Sequence, residues 1–266
     1  MEFLRRLFGG AAESKDDSAL EPFQIEFPNG ASRPAVHAAR NTSPQAIIDA
    51  LNLSSPTPTI FVSGGASMMT RDSSNVLRSI IEDGLVRFIT ERQICLIDGG
   101  TASGVMQLIG EARQRRNSSF PLLGVAPDNV VSYPSHAGMK PEVSLDAYHS
   151  HFVLTSGDQF GSESETSFNL AYALSGNGAQ KRLVMVLNGG EIVKKDAHRS
   201  AVHEPRFPLL VLEGSGRFAD ELAISQKNGS DDPVIRDILN QGTLYFLSVK
   251  AGADSLYHWL ENFFGF

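Results

Sequence analysis

Five apolar runs of this chain empty into glycine-containing turns, and the residues in those turns are of the kind that hold anions. Ile60-Phe61-Val62 leads into Ser63-Gly64-Gly65-Ala66, and Leu96-Ile97 into Asp98-Gly99-Gly100-Thr101, after which Gly104 and Val105 open a helix. Val153-Leu154-Thr155 runs into Ser156-Gly157-Asp158 and then Phe160-Gly161-Ser162-Glu163. Val186-Leu187 precedes Asn188-Gly189-Gly190-Glu191, and Val211-Leu212 precedes Glu213-Gly214-Ser215-Gly216-Arg217. Glycine lacks a Cβ, so a ligand can approach the main chain and a tight turn can take positive φ. The amides that open the following helix are unpaired and sit at the positive end of its dipole, which suits phosphate or carboxylate. Any one such turn also serves plain chain reversal. Five on one edge of a sheet point to a ligand crevice.

Around these turns stand side chains with two readings each. Glu163 and Glu165 lie near a helix start, either as anions of the first turn behind a Ser162 cap or as acceptors for ribose hydroxyls. In a hydrolase one of them would stabilise or activate a water. Arg71 and Arg217 follow glycine turns, where phosphate pairing competes with a solvated role or, for Arg217, a salt bridge to Asp220 or Glu221. His149 and His151 flank one residue ahead of a strand, but no third metal ligand accompanies them, and no metal is expected. His136 stands in the Ser132–Met139 loop, near enough to contact a base or ribose. Asp98, at the end of a buried strand, is a ribose acceptor or a turn former.

Several motifs are absent: a G-x-G-x-x-G after the first strand, a G-x-x-x-x-G-K-[ST] phosphate loop, a G-x-S-x-G elbow and an H-E-x-x-H pair. The elements that must position the turns are regular. Seven short runs, Thr59–Val62, Ile94–Ile97, Pro121–Val125, Phe152–Thr155, Leu183–Leu187, Leu209–Leu212 and Leu244–Val249, are apolar throughout, as strands buried on both faces of a parallel sheet are. Helix-like stretches alternate with them, among them Ser74–Thr90, Gly104–Arg115, Glu165–Leu174 and Phe218–Ser225. The reading is an α/β, Rossmann-like doubly wound, mainly parallel sheet of about seven strands with helices on both faces. Residues 41–266 form that one domain. Residues 1–40 are an extension: a short helix, a polar connector over Ala11–Leu20, and an edge strand from the alternation of Phe23, Ile25 and Phe27. The last helix carries Leu256, Tyr257, Trp259, Leu260, Phe263 and Phe264.

The 266 residues hold 23 Lys plus Arg against 30 Asp plus Glu, a net charge of −7. That balance argues against nucleic acid, which needs a cationic track along the phosphates. Cys95 is the single cysteine, so no internal disulfide can form, and a reducing, cytoplasmic setting is expected. No apolar run approaches the roughly 20 residues of a membrane span.

The ordered pieces VSGGA (62–66), GLV (84–86), DGGTASGVM (98–106), IGEA (109–112), LLGVAP (122–127), HFVLTSGDQFGSESE (151–165) and LVLEGSGRFADELA (210–223) resemble a known group. They look like the N-terminal homology region of TRPM cation channels and its prokaryotic stand-alone counterparts (LSDAT-type), within the SLOG superfamily of Rossmann-like nucleotide-binding domains. The likeness covers about residues 56–250. It implies a crevice that senses a nucleotide-derived signal, since related domains in the channels and in Thoeris antiphage sensors bind ADP-ribose or its cyclic relatives. Positions matching the family's motifs are Gly64, Gly65 and Ala66; Gly99, Gly100, Thr101, Gly104 and Val105; Asp128 and Asn129; Gly161, Ser162 and Glu163; and Gly214, Ser215, Gly216 and Arg217. Ser156, Gly157, Gly189 and Gly190 join them from the turns alone.

The same superfamily holds LOG-type phosphoribohydrolases, which resemble each other in a P-G-G-x-G-T-x-x-E loop. Here the stretch from Thr155 to Glu165 lacks the proline and second glycine but keeps Gly161, a hydroxyl and two carboxylates. The resemblance therefore implies a nucleotide-binding sensor that needs no cofactor, with a nucleotide N-glycosidase as the alternative. Its signal would pass to a separate effector or through self-assembly. A bulky residue at Gly100 is expected to abolish ligand binding and leave the fold intact.

Overall fold

The computed structural model describes residues 20–65, 75 and 77–266. The amino-terminal helix and most of the connector expected from the sequence, together with Ala66 and Arg71, lie outside the described residues. All seven apolar runs are strands: β3 (Thr59–Gly64), β4 (Cys95–Asp98), β5 (Leu122–Pro127), β6 (His151–Thr155), β7 (Arg182–Leu187), β8 (Leu209–Glu213) and β9 (Leu244–Ser248). Two more precede them, β1 (Phe23–Glu26) and β2 (Ser32–Ala38). The nine form one sheet in the order β1-β2-β6-β5-β4-β3-β7-β8-β9, antiparallel only between β1 and β2. The sheet is thus wider than the seven runs: β1 is the edge strand expected from the alternation of Phe23, Ile25 and Phe27, and β2 is the unexpected addition.

Strand β2 (SRPAVHA) is masked in the sequence by Pro34, Arg33 and His37. Proline has no N–H to give a ladder. Pro34 faces Gln24 of β1, and pairing with β6 begins one residue later, at Ala35 opposite Phe152. The register thereby spares the inner neighbour the missing donor.

Helices cover both faces. On one lie α1 (Pro44–Ala50), α4 (Ser164–Leu174), α5 (Glu191–Val202), α6 (Arg217–Asn228) and α7 (Pro233–Gln241), whose Ile47, Phe168, Ala197, Leu222 and Ile238 pack against the sheet. On the other lie a π-helical turn (Ile80–Val86) running into α2 (Arg87–Arg92), α3 (Gly104–Arg115) and the carboxy-terminal α8 (Ala253–Phe264). Gly84 inside that turn lets α8 come close, because a Cβ there would lie 2.9 Å from the Ala253 carbonyl. A third cluster, around Phe27, Val131, Leu145 and Phe152, fills the space under the β5–β6 connection. This is a Rossmann-like α/β fold.

The connectivity fixes where a ligand can enter. From β3 the chain steps to β4, β5 and β6 on one side, then returns to lay β7 against the other side of β3. The loops after β3 and β7 therefore part in opposite directions, which opens the crevice that ligands use in doubly wound sheets.

Candidate functional site

Strands β3 to β8 run parallel, so the turns that follow them share one edge. Main-chain bonds stitch several of those turns together. Gly65 donates to the Leu187 carbonyl at 3.2 Å, and its own carbonyl accepts from Val105 at 3.2 Å. Asn188 N donates to Ser215 Oγ at 2.8 Å, while the Asn188 and Gly189 carbonyls accept from Ala219 and Phe218. At the switch point a Cβ on Gly65 would lie 2.9 Å from Gly189 N, so only glycine lets the β3 and β7 turns meet. Gly64 is held as tightly, its would-be Cβ 2.9 Å from that of Val105.

These bonds also decide which amides are left for a ligand. In α6 the Phe218 and Ala219 amides serve the β7 turn, and in α3 the Val105 amide serves Gly65. Ser215 is buried and internal, accepting from Asn188 and donating to the Leu212 carbonyl, and the Gly214 amide donates to Asp220. Helix α5 differs. It starts from Gly190 with no side-chain cap, and the amides of Glu191, Ile192 and Val193 have no acceptor among the described residues. The Arg217 guanidinium reaches over this start, with Nη2 2.5 Å from where a Gly190 Cβ would stand. An open helix start beside an arginine is a seat for a phosphate or carboxylate.

The turn after β4 faces inward instead. Gly100 (φ +65°) has its Cα against Gly124, where an added Cβ would come within 2.7 Å. Thr101 is buried and bridged to Leu145. Beneath the turn His149 is buried between two carboxylates, Nε2 2.7 Å from Asp98 Oδ1 and Nδ1 2.8 Å from Asp146 Oδ2. Burial by itself would lower the imidazole's pKa, but the two carboxylates overcome it and raise it to about 9. Asp98 Oδ1 also accepts the Gly100 amide at 2.8 Å, and Asp146 N donates to the Gly100 carbonyl. Asp98 is thus a turn former in the fold, and His149 is its counter-charge.

The expectation that Gly100 takes a bulky side chain without harm to the fold does not hold. Gly100→Val meets backbone and asks for a left-handed valine. It should cost about 3 kcal/mol or more, a drop in Tm of roughly 6 °C or more on thermal unfolding.

The turn after β6 divides the two glutamates. Ser162 does not cap α4; its hydroxyl donates to the Gln159 carbonyl, and a Cβ on Gly157 would strike that hydroxyl. Ser156 is exposed, and its amide donates to the Ala38 carbonyl. Gly161 leans on the first turn of α5, its would-be Cβ 3.5 Å from Ile192. Glu165 points to solvent and pairs with Arg199 at 3.3 Å. Glu163 turns back, accepting the Gly161 amide at 2.7 Å, in the field of a second buried carboxylate, Asp196 of α5. Asp196 accepts from Ser63 Oγ at 2.6 Å and from the Ser164 hydroxyl. Burial raises the Glu163 carboxyl to about 7 and the Asp196 carboxyl to about 6. Asp196 is the group that sequence reading missed; it lies 133 positions from Ser63, and nothing local marks it.

A pH dependence follows. Glu163 keeps its proton in the folded chain over a range where the unfolded chain has lost it, so its contribution to stability falls as pH rises from about 4.5 to about 7. Chemical denaturation at pH 5 and pH 8 should show a smaller fall for Glu163→Gln than for the parent, by on the order of 2 kcal/mol. An equal fall in both would remove Glu163 as the cause.

On the flank, Asp128 accepts from the Tyr133 hydroxyl at 2.9 Å and faces His37 at 3.3 Å, and Asn129 is exposed. His136 is tied to the Asp128 carbonyl at 3.0 Å. With β4 between β5 and β3, these residues stand about 10 Å from the switch point by strand spacing. The structure therefore gathers Gly65, Gly189, Gly190, Arg217, Gly161 and Glu163 around the start of α5, and sets Asp128 and Asn129 apart.

The sequence is similar to that of known proteins. The "Transient receptor potential channel" of Caenorhabditis elegans is 24% identical over 227 residues, covering 75% of this chain and 11% of the channel. The "Transient receptor potential cation channel trpm" of Drosophila melanogaster is 25% identical over 252 residues, 80% of this chain and 12% of that protein. A "Transient receptor potential cation channel subfamily M member-like 2" of Nematostella vectensis is 25% identical over 267 residues, 79% and 16% respectively. The chain thus spans well under a fifth of the length of these relatives. No helix among the described residues is long and apolar enough to cross a membrane. The family profile described as "SLOG in TRPM, prokaryote" matches residues 57–257, taking in every strand from β3 to β9 and all the glycine turns, and the chain belongs to that family.

Proposed function

We propose that the chain binds a nucleotide-derived ligand of the ADP-ribose type at the carboxy-terminal edge of its sheet, and acts as a sensor. The observation that carries this reading is the uncapped start of α5 under Arg217, at the point where the β3 and β7 turns meet. The diphosphate would lie on the amides of Glu191 to Val193 and pair with Arg217. Ribose hydroxyls would donate to Glu163, which accepts the amide of Gly161, the residue lying against Ile192 of α5. Binding energy then comes from oriented dipoles and one guanidinium, which an acidic chain can supply. The signal would reach a separate effector or a second copy of the chain.

A second reading, nucleotide N-glycosidase, is favoured by one feature: a half-buried carboxyl at Glu163 with a pKa of about 7, where a general acid or base works best at neutral pH. One experiment separates the two. The protein is incubated with AMP, NAD and ADP-ribose, and both its melting and the release of free base are followed. Sensing requires a saturable rise in Tm of roughly 5–10 °C at a hundredfold excess over Kd with no base released. Free base abolished by Glu163→Gln would establish the glycosidase and overturn the sensor. Neither shift nor turnover would defeat both.

A further inference from the structure

A cavity of about 830 Å³ opens at the other edge of the sheet, between the starts of β7 and β9 and the end of α8. We propose that it is a second ligand site, built for a small planar ring that carries a phosphate or carboxylate group.

One wall is aromatic. Trp259 and Phe263 are stacked at 5.2 Å and 10°, and Tyr245 stands edge-on to Trp259 at 5.2 Å. Tyr245 is 38% exposed, a large ring left open to solvent on an edge strand. Such faces stack on planar ligands. Cations line the same cavity, Lys181, Arg182 and Arg206, with Lys181 lying over the Phe263 ring at 5.8 Å. Their hydrogen bonds run to main-chain carbonyls: Lys181 to Phe263 at 2.6 Å, Arg182 to Arg206 at 3.0 Å and Arg206 to Gln241 at 3.3 Å. Among the described residues the single ion pair made by the three is Arg206 with Glu204, at 3.2 Å on the surface. Arg182 Nε is buried with no partner among the described residues. Positive charge is therefore in surplus here, in a chain whose net charge is −7. An anionic group fits that surplus, a ring fits the aromatic wall, and the volume falls in the range of small-molecule sites.

The cavity and the α5 seat lie at opposite ends of β7, which runs Arg182–Leu187, so about 20 Å of strand separates them. Trp259 is the only tryptophan in the chain, so its emission reports on the cavity directly. The full-length protein is titrated with AMP and, separately, with benzoate, the two sources of an anionic ring. Adenosine and inorganic phosphate serve as the ring and the anion alone. Saturable quenching or a spectral shift is expected with AMP, benzoate or both, and whichever acts identifies the source. Adenosine and phosphate should be at least about tenfold weaker. Arg206→Gln, a change at a half-exposed side chain, should weaken the response about tenfold. Gly190→Ala, at the far edge, should leave it unchanged. The proposal is overturned if no probe gives a saturable change, if adenosine or phosphate alone matches its composite, if Arg206→Gln binds as the parent does, or if Gly190→Ala abolishes the response.

Discussion

Replacing His149 by leucine is expected to destabilise the protein by about 3–5 kcal/mol and to lower its Tm by roughly 6–20 °C. The imidazole is buried and hydrogen-bonded on both nitrogens, to Asp98 at 2.7 Å and Asp146 at 2.8 Å. Leucine would leave two buried carboxylates without their counter-charge, and breaking a buried ion pair from one side is far costlier than never having built it. The same carboxylates hold the β4 turn, so the loss spreads to Gly100 and Thr101. The sign of the pH dependence identifies the cause. With a folded pKa of about 9 against an ordinary 6.5, the stabilisation is complete below about pH 6.5 and is lost as pH rises through 9. The parent should therefore weaken between pH 6.5 and 9 in urea titrations, and His149→Leu should be nearly flat there. A loss under about 1 kcal/mol, or a parent curve flat over that window, would contradict a charged His149.

Gly190→Ala is expected to cut affinity for ADP-ribose about tenfold to a hundredfold, roughly 1.4–3 kcal/mol, while the Tm stays within about 2 °C of the parent's. Gly190 has φ −130°, outside the left-handed range that only glycine takes readily. The methyl group would meet the far end of the flexible Arg217 side chain, which has to shift to admit it. It would stand where a phosphate has to come close to the α5 amides. Calorimetric titration measures this effect directly. Undiminished affinity in the folded variant would move the anion elsewhere. Gly190 and Gly100 make an instructive pair: both follow buried strands in Gly-Gly turns, yet one change should strike binding and the other folding.

That pair also shows how far a sequence can be read. Strands β3 to β9 were legible because continuous Val, Ile and Leu runs have few other uses in a chain of this length. Strand β2 was not, since Pro34 and two polar neighbours hide it, and only its register against β6 reveals why proline is tolerated. The convergence of the turns was legible from βα alternation, which puts strand ends on one edge. Which turns face outward was not. Glycine is demanded equally by an approaching ligand and by a neighbouring backbone, and Gly124, the neighbour of Gly100, lies on another strand. Glu163 and Glu165 looked equivalent in sequence, but one faces Arg199 and solvent, the other Asp196 and the interior. Asp196 itself reads as an ordinary polar position of a helix, and only the fold brings Ser63 to it.

A crystal structure of the protein soaked with ADP-ribose bears most directly on where the ligand sits. Diphosphate density is expected within hydrogen-bonding distance of the Glu191, Ile192 and Val193 amides and of Arg217, with a ribose toward Glu163. Density ordered elsewhere on the chain, or an empty α5 start in crystals saturated with a ligand that binds in solution, would contradict it.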